Sequence, residues 1–173
     1  EALEMRRRLF EEHHHLVAQS VMNLGLVRER LHQVAGAESL YRQGLEILQV
    51  NHPERWHDLA DANQKIASLL NDNDRAAEAE IPYLKAIELY MQAPEDDRRL
   101  IADCMIGLGQ TYQRLNRPAE AEASYVEGVD LQKKLYPGDS IVIAINLNLV
   151  GGAQYLQGKL TEEEASLTQA LEL

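Results

Sequence analysis

Residues 108–128 read Leu-Gly-Gln-Thr-Tyr-Gln-Arg-Leu-Asn-Arg-Pro-Ala-Glu-Ala-Glu-Ala-Ser-Tyr-Val-Glu-Gly, and their spacing decides the fold. Leu108 and Tyr112 stand four residues apart, and Ala121, Tyr125 and Gly128 recur three or four apart, so the segment carries two apolar helical stripes. Asn116 stands between them, a residue type that commonly occupies left-handed positions at helix ends. Pro118 suits the first turn of a second helix, where no amide partner is lost. A helix, a tight turn and a returning helix follow.

The same pattern runs outward in both directions with one step. Ala37-Glu38, Ala79-Glu80, Ala121-Glu122 and Glu163-Glu164 are each 42 residues apart (79−37, 121−79, 163−121). That step also carries Tyr41 to Tyr83, Tyr125 and Leu167, and Gly44 to Ala86, Gly128 and Ala170. In the first stripe Leu24-Gly25 matches Ile66-Ala67, Leu108-Gly109 and Val150-Gly151, and the turn position holds His32, Asp74, Asn116 and Gly158. Stepping back from Gly44 and Leu45 lands on Ala2 and Leu3, so a truncated copy opens the chain. Pro53, Pro94 and Pro137 fall between copies, where proline stops a helix.

A fixed period of this length marks stacked helix pairs rather than a single globular core. The phase predicts helices at about 1–12, 15–31, 34–50, 57–72, 76–92, 98–115, 118–135, 140–157 and 161–173. The fold class is all-α, a single solenoid with a truncated helix at 1–12 and repeats at 15–50, 57–92, 98–135 and 140–173. Pro82 lies deeper in its helix than Pro118 and is expected to weaken or bend the start of it. Small residues such as Gly25, Ala37 and Gly44 let helix axes approach, with Leu24, Tyr41 and Leu45 expected to fill the space between.

Composition agrees and narrows the function. The 173 residues are 45% apolar and 26% charged, as in ordered domains, and only 5% aromatic. A formal charge of −11 opposes nucleic acid or an anionic lipid surface as partner. A lone Cys104 leaves no internal disulfide and suits a reducing compartment, so a cytoplasmic location is expected. Ile141 to Val150, the most apolar segment, is interrupted by Asn146 and Asn148 and is too short to span a membrane. Starting at Glu1 with no signal-peptide pattern, the chain is read as a piece of a longer protein.

The residues Leu108, Gly109, Tyr112, Ala121, Tyr125 and Gly128 resemble the tetratricopeptide repeat family. The 42-residue step, the Ala-Glu dipeptide and the opening Ala2-Leu3-Glu4-Met5-Arg6-Arg7-Arg8-Leu9-Phe10 look like its kinesin light chain variety, which also occurs in larger bacterial proteins. The resemblance spans the chain and implies a right-handed α-α superhelix whose first helices line a concave groove for a protein or peptide. Arg28, Leu70 and Gln154 depart from Tyr112, and Glu163 stands where the family has a small alanine.

Catalytic chemistry is not expected. The sequence has no phosphate-binding loop, dinucleotide fingerprint, His-Glu-x-x-His pair or nucleophile elbow, and no cofactor is predicted. His13-His14-His15 point about 100° apart on a helix and do not converge on a metal. Cys104 has no matched histidine or second cysteine and reads as a small interface thiol. Arg6-Arg7-Arg8 reads as a solvated helix flank.

The candidate binding stripe is the groove face of the first helices. It comprises Gln19, Asn23, Leu26 and Arg30 in copy one, then Asp61, Lys65, Ser68 and Asp72, then Asp103, Gly107, Gln110 and Arg114. In copy four the stripe becomes apolar, with Ile145, Leu149, Gly152 and Leu156, read as packing beneath a further repeat in preference to anchoring a ligand. The function expected is a protein-interaction scaffold, with a regulatory arm of a larger signalling enzyme and a purely architectural solenoid as alternatives. Leu3, Met5, Leu167 and Leu171 at the ends predict end-to-end association.

Overall fold

The computed structural model describes residues 4–5, 14–92, 98–136 and 140–173; most of the expected first helix, with Arg6-Arg7-Arg8 and His13, lies outside the described residues. Among the described residues the delimited helices are α1 His15–Arg30, α2 Val34–Asn51, α3 Trp56–Asp72, α4 Ala76–Tyr90, α5 Arg98–Arg114, α6 Pro118–Leu135, α7 Ser140–Leu156 and α8 Leu160–Leu171. Among the described residues there is no strand. These helices begin and end within two residues of the spans read from the 42-residue phase. Each packs chiefly on its neighbours in sequence, α1 on α2, α2 on α3 and so on to α8, as a solenoid requires.

The turn inside each copy is set by one left-handed residue. His32, Asp74, Asn116 and Gly158 take φ of 56°, 60°, 57° and 73°. The following amides, of Gln33, Arg75, Arg117 and Lys159, then reach back to the carbonyls of Arg28, Leu70, Tyr112 and Gln154 at 2.8, 2.9, 2.9 and 3.0 Å. This closure satisfies last-turn carbonyls and starts the second helix within three residues. Pro118 opens α6 as expected, whereas α4 continues through Pro82 as one helix despite the amide that proline lacks.

Packing follows the repeat. Tyr41 and Tyr125 are fully buried and Tyr83 nearly so, framed by the buried Ala18, Ala60 and Ala102 of the first helices and Ala37, Ala79 and Ala121 of the second. A Cβ added at Gly109 would lie 2.5 Å from Tyr125 Cδ1, and one at Gly128 would lie 2.9 Å from Ile106 Cδ1 and 3.2 Å from the Ala102 carbonyl. Glycine is therefore a packing requirement at both crossings. Leu24 corrects an expectation: it is 37% exposed, while the matched Ile66, Leu108 and Val150 are buried. No described helix pair precedes copy one, so Val17, Val21 and Met22 build its core instead.

A ladder of ion pairs that the sequence reading missed joins successive copies. Arg75 reaches Glu38 at 2.5 Å, Arg117 reaches Glu80 at 2.8 Å and Lys159 reaches Glu122 at 2.6 Å. In each rung the residue just before a second helix contacts the glutamate of the preceding copy's Ala-Glu dipeptide. Arg75 and Arg117 also pair with Glu78 and Glu120 on their own helices. Partly exposed pairs of this kind contribute little stability individually.

Candidate functional site

The first helices α1, α3, α5 and α7 present the candidate stripe. On α1, Asn23 and Arg30 are exposed and Gln19 and Leu26 half-buried. On α3, Asp61, Lys65 and Ser68 are half-buried and Asp72 exposed; on α5, Asp103, Gln110 and Arg114 are exposed. The structure brings Asp72, Gln110 and Arg114 together, with Gln113, around a hollow of about 550 Å³ between copies two and three. Gln113 was not foreseen, because it also accepts a 2.9 Å hydrogen bond from the Tyr125 hydroxyl across the helix pair.

Gly107 has a different role from the one its place in the stripe suggested. A Cβ there would come 2.5 Å from the Tyr83 hydroxyl, so this rung is a closely packed crossing and offers no side chain to a ligand. The two interior cations are already partnered: Lys65 contacts Asp61 at 2.5 Å and Arg114 contacts the exposed Asp74 at 2.9 Å. A ligand carboxylate would exchange with a protein carboxylate at either position, and an incoming cation would find Asp61, Asp72 and Asp74 in the same strip. The surroundings of Asp103 push its carboxyl upward through desolvation, with Arg99 partly offsetting this.

On α7 the stripe stays apolar, with Ile145 57% and Leu156 54% exposed, Leu149 half-buried and empty space about Gly152. The other sequence candidates are structural. Cys104 is fully buried, and desolvation followed by the charge of Asp103 pushes its thiol up to about 12, the opposite of an activated nucleophile. His14 caps α1 through its Nδ1, which accepts from the Leu16 amide at 3.2 Å, and stacks on His15 at 4.3 Å. Among the described residues no group of three or more His, Cys, Asp or Glu could hold a metal ion. Nor is any described helix long and apolar enough to cross a membrane.

Comparison with known proteins agrees with this geometry. The model of the tetratricopeptide repeat family matches residues 58–134. No curated protein sequence matches the chain. Among solved structures it is similar to BtubC (BKLC) from P. vanneervenii, with a TM-score of 0.83 at 19% identity over 91% of this chain and 63% of that one. The apo form of RapI gives 0.78 at 15% identity, over 88% and 54%. A Podosopora anserina chain described as a kinesin light chain with nearly identical TPR-like repeats gives 0.78 at 16%, over 98% and 81%. The chain thus spans less than two thirds of the first two, and these likenesses concern the fold. The family pattern thus covers residues 58–134 and the same 42-residue helix-pair geometry continues on both flanks, so the chain has the fold of stacked tetratricopeptide-type repeats, a family whose members are generally non-catalytic scaffolds for protein interaction.

Proposed function

We propose that the chain binds a protein or peptide segment along the groove face of α1, α3 and α5. The observation that carries this reading is the hollow framed by Asp72, Gln110, Gln113 and Arg114, where polar side chains from two copies meet over a packed core. Its mixed charges suit a segment that presents both a carboxylate and hydrogen-bond donors, aligned by exchange with the Lys65–Asp61 and Arg114–Asp74 pairs. The lone Cys104 fits a cytoplasmic setting for this work.

The test is to capture a partner on the immobilised chain and compare its affinity for the double variant Lys65→Glu and Arg114→Glu. Both changes lie outside the packing positions, so helicity by circular dichroism should be preserved while affinity falls at least about tenfold. Full affinity at preserved helicity would overturn the groove assignment.

A second reading, end-to-end self-association, is favoured by one observation: α8 has no buried residue, and Leu160 and Leu171 are 63% and 88% exposed. Light scattering across a concentration series should show growth beyond the monomer mass. A constant monomer mass at high concentration would remove this reading.

A further inference from the structure

The junctions between successive copies differ in what fills them. Positions 15, 57 and 99 share a phase at the start of the first helices, as do 48, 90 and 132 near the ends of the second helices. At the first junction the His15 ring meets His52 at 5.4 Å beside the fully buried Leu48. At the second, the buried Tyr90 meets the His57 ring at 5.7 Å and donates its hydroxyl to Gln64 Oε1 at 3.0 Å. That ring thus lies along the 57–61–64 stripe of α3, residues four and three apart on one helix face.

At the third junction the matched residue is Gln132, and the ring of Tyr136, in phase with His52, lines the space that remains. Gln132 is 6% exposed; its Oε1 accepts from Asn146 Nδ2 at 2.8 Å and its side chain hydrogen-bonds to Asp103. Drawn inward by Asn146, it leaves a cavity of about 220 Å³ lined by Arg99, Asp103, Gln132, Tyr136, Val142 and Ile143. This is too small for a typical small-molecule ligand, which occupies roughly 300 Å³ or more, and is on the scale of one inserted side chain.

We propose that this junction cavity is a pocket for a phenol ring, the tyrosine side chain of a bound peptide, which takes the place Tyr90 fills one copy earlier. Val142 and Ile143 supply an apolar wall for the ring face. The Asp103 carboxylate accepts from the phenolic hydroxyl, a charge-assisted bond that an indifferent hydrophobic pocket would not offer. Arg99 at the rim can cover the ring as Arg117 covers Tyr112, where the guanidinium carbon lies 4.4 Å from the ring centroid. The proposal rests on the peptide-binding reading for the source of the ring; the pocket shares Asp103 with the groove stripe, but neither Lys65 nor Arg114 lines it.

The probe is N-acetyl-tyrosinamide, titrated into the isotope-labelled chain by amide-resolved NMR, with N-acetyl-phenylalaninamide and N-acetyl-leucinamide beside it. Saturable shifts are expected around Asp103, Gln132 and Ile143, with tyrosinamide preferred about tenfold over phenylalaninamide and that preference lost in Asp103→Asn. Gln132→Tyr combined with Asn146→Ala gives this junction the Tyr90 of the junction before it and the Ala62 of copy two; it should fold and abolish the shifts. Equal response to all three probes, no response to tyrosinamide up to its solubility, or undiminished binding in the filled variant would each overturn the pocket. The Lys65→Glu and Arg114→Glu double variant should respond to tyrosinamide like the parent, so failure of the groove and failure of the pocket read separately.

Discussion

Copies three and four carry the same phase but are held very differently. In copy three, α5 and α6 bury Leu108, Tyr112, Ala121, Tyr125 and Val129 and are covered on both sides by α4 and α7. In copy four, Leu167 stands for the tyrosine, Glu163 for the alanine, and no residue of α8 is fully buried. Repeat sequence therefore supplies a helix pair, whereas burial comes from neighbours, and among the described helices α8 packs chiefly on α7 alone.

The largest effect is expected at the helix crossings. Gly128→Leu must push its side chain against Ile106 and the Ala102 carbonyl, costing about 1–3 kcal/mol, while Ala170→Leu at the matched, half-buried position of α8 should cost a small fraction of that. Chemical denaturation of both variants checks this, and equal losses would erase the distinction between interior and end. Next come the turns. His32 holds a left-handed φ that costs a side-chain-bearing residue about 1 kcal/mol, so His32→Gly should gain up to about 1 kcal/mol and Gly158→Ala should lose about as much. Opposite results in denaturation would contradict the turn geometry.

Smaller still is the acid response of the inter-copy ladder. The hydrogen bond from Arg75, supported by Arg42, holds the Glu38 carboxyl below its ordinary value. Burial would raise Glu122, but Lys159, Gln154 and Gln157 together bring it below the ordinary range. A carboxyl depressed in the folded state adds stability that is present above its unfolded value, about 4.3, and is lost as pH falls through the lower folded value. Glu38→Gln and Glu122→Gln should each flatten the decline in melting temperature on the acid side of pH 4.3. An unchanged acid limb would separate the ladder from stability.

The fold was legible because period, turn and packing signals coincide. His32, Asp74, Asn116 and Gly158 mark the turns, and the tyrosines and small residues mark the crossings, all on one 42-residue step. The cations at 75, 117 and 159 lie on that step too, and pairing them with Glu38, Glu80 and Glu122 was within reach of the sequence. They were missed because the partners are 37 residues apart, a separation that means contact only once copies are stacked. Local spacing likewise could not reveal that Gly107 packs under Tyr83, or that Lys65 and Arg114 already have carboxylate partners. The exposed faces of copies three and four differ for the same reason: side-chain type shows which residues need cover, and only the stack shows which receive it.

The central claim is that a partner lies along the first helices. Hydrogen exchange of the chain with and without a captured partner tests it most directly, because exchange reads each helix separately. Slower exchange on partner binding is expected across α3 and α5, centred on 61–72 and 103–114, with α4 and the first half of α6 little changed. Protection gained on α4 and α6 while α3 and α5 exchange as before would contradict it.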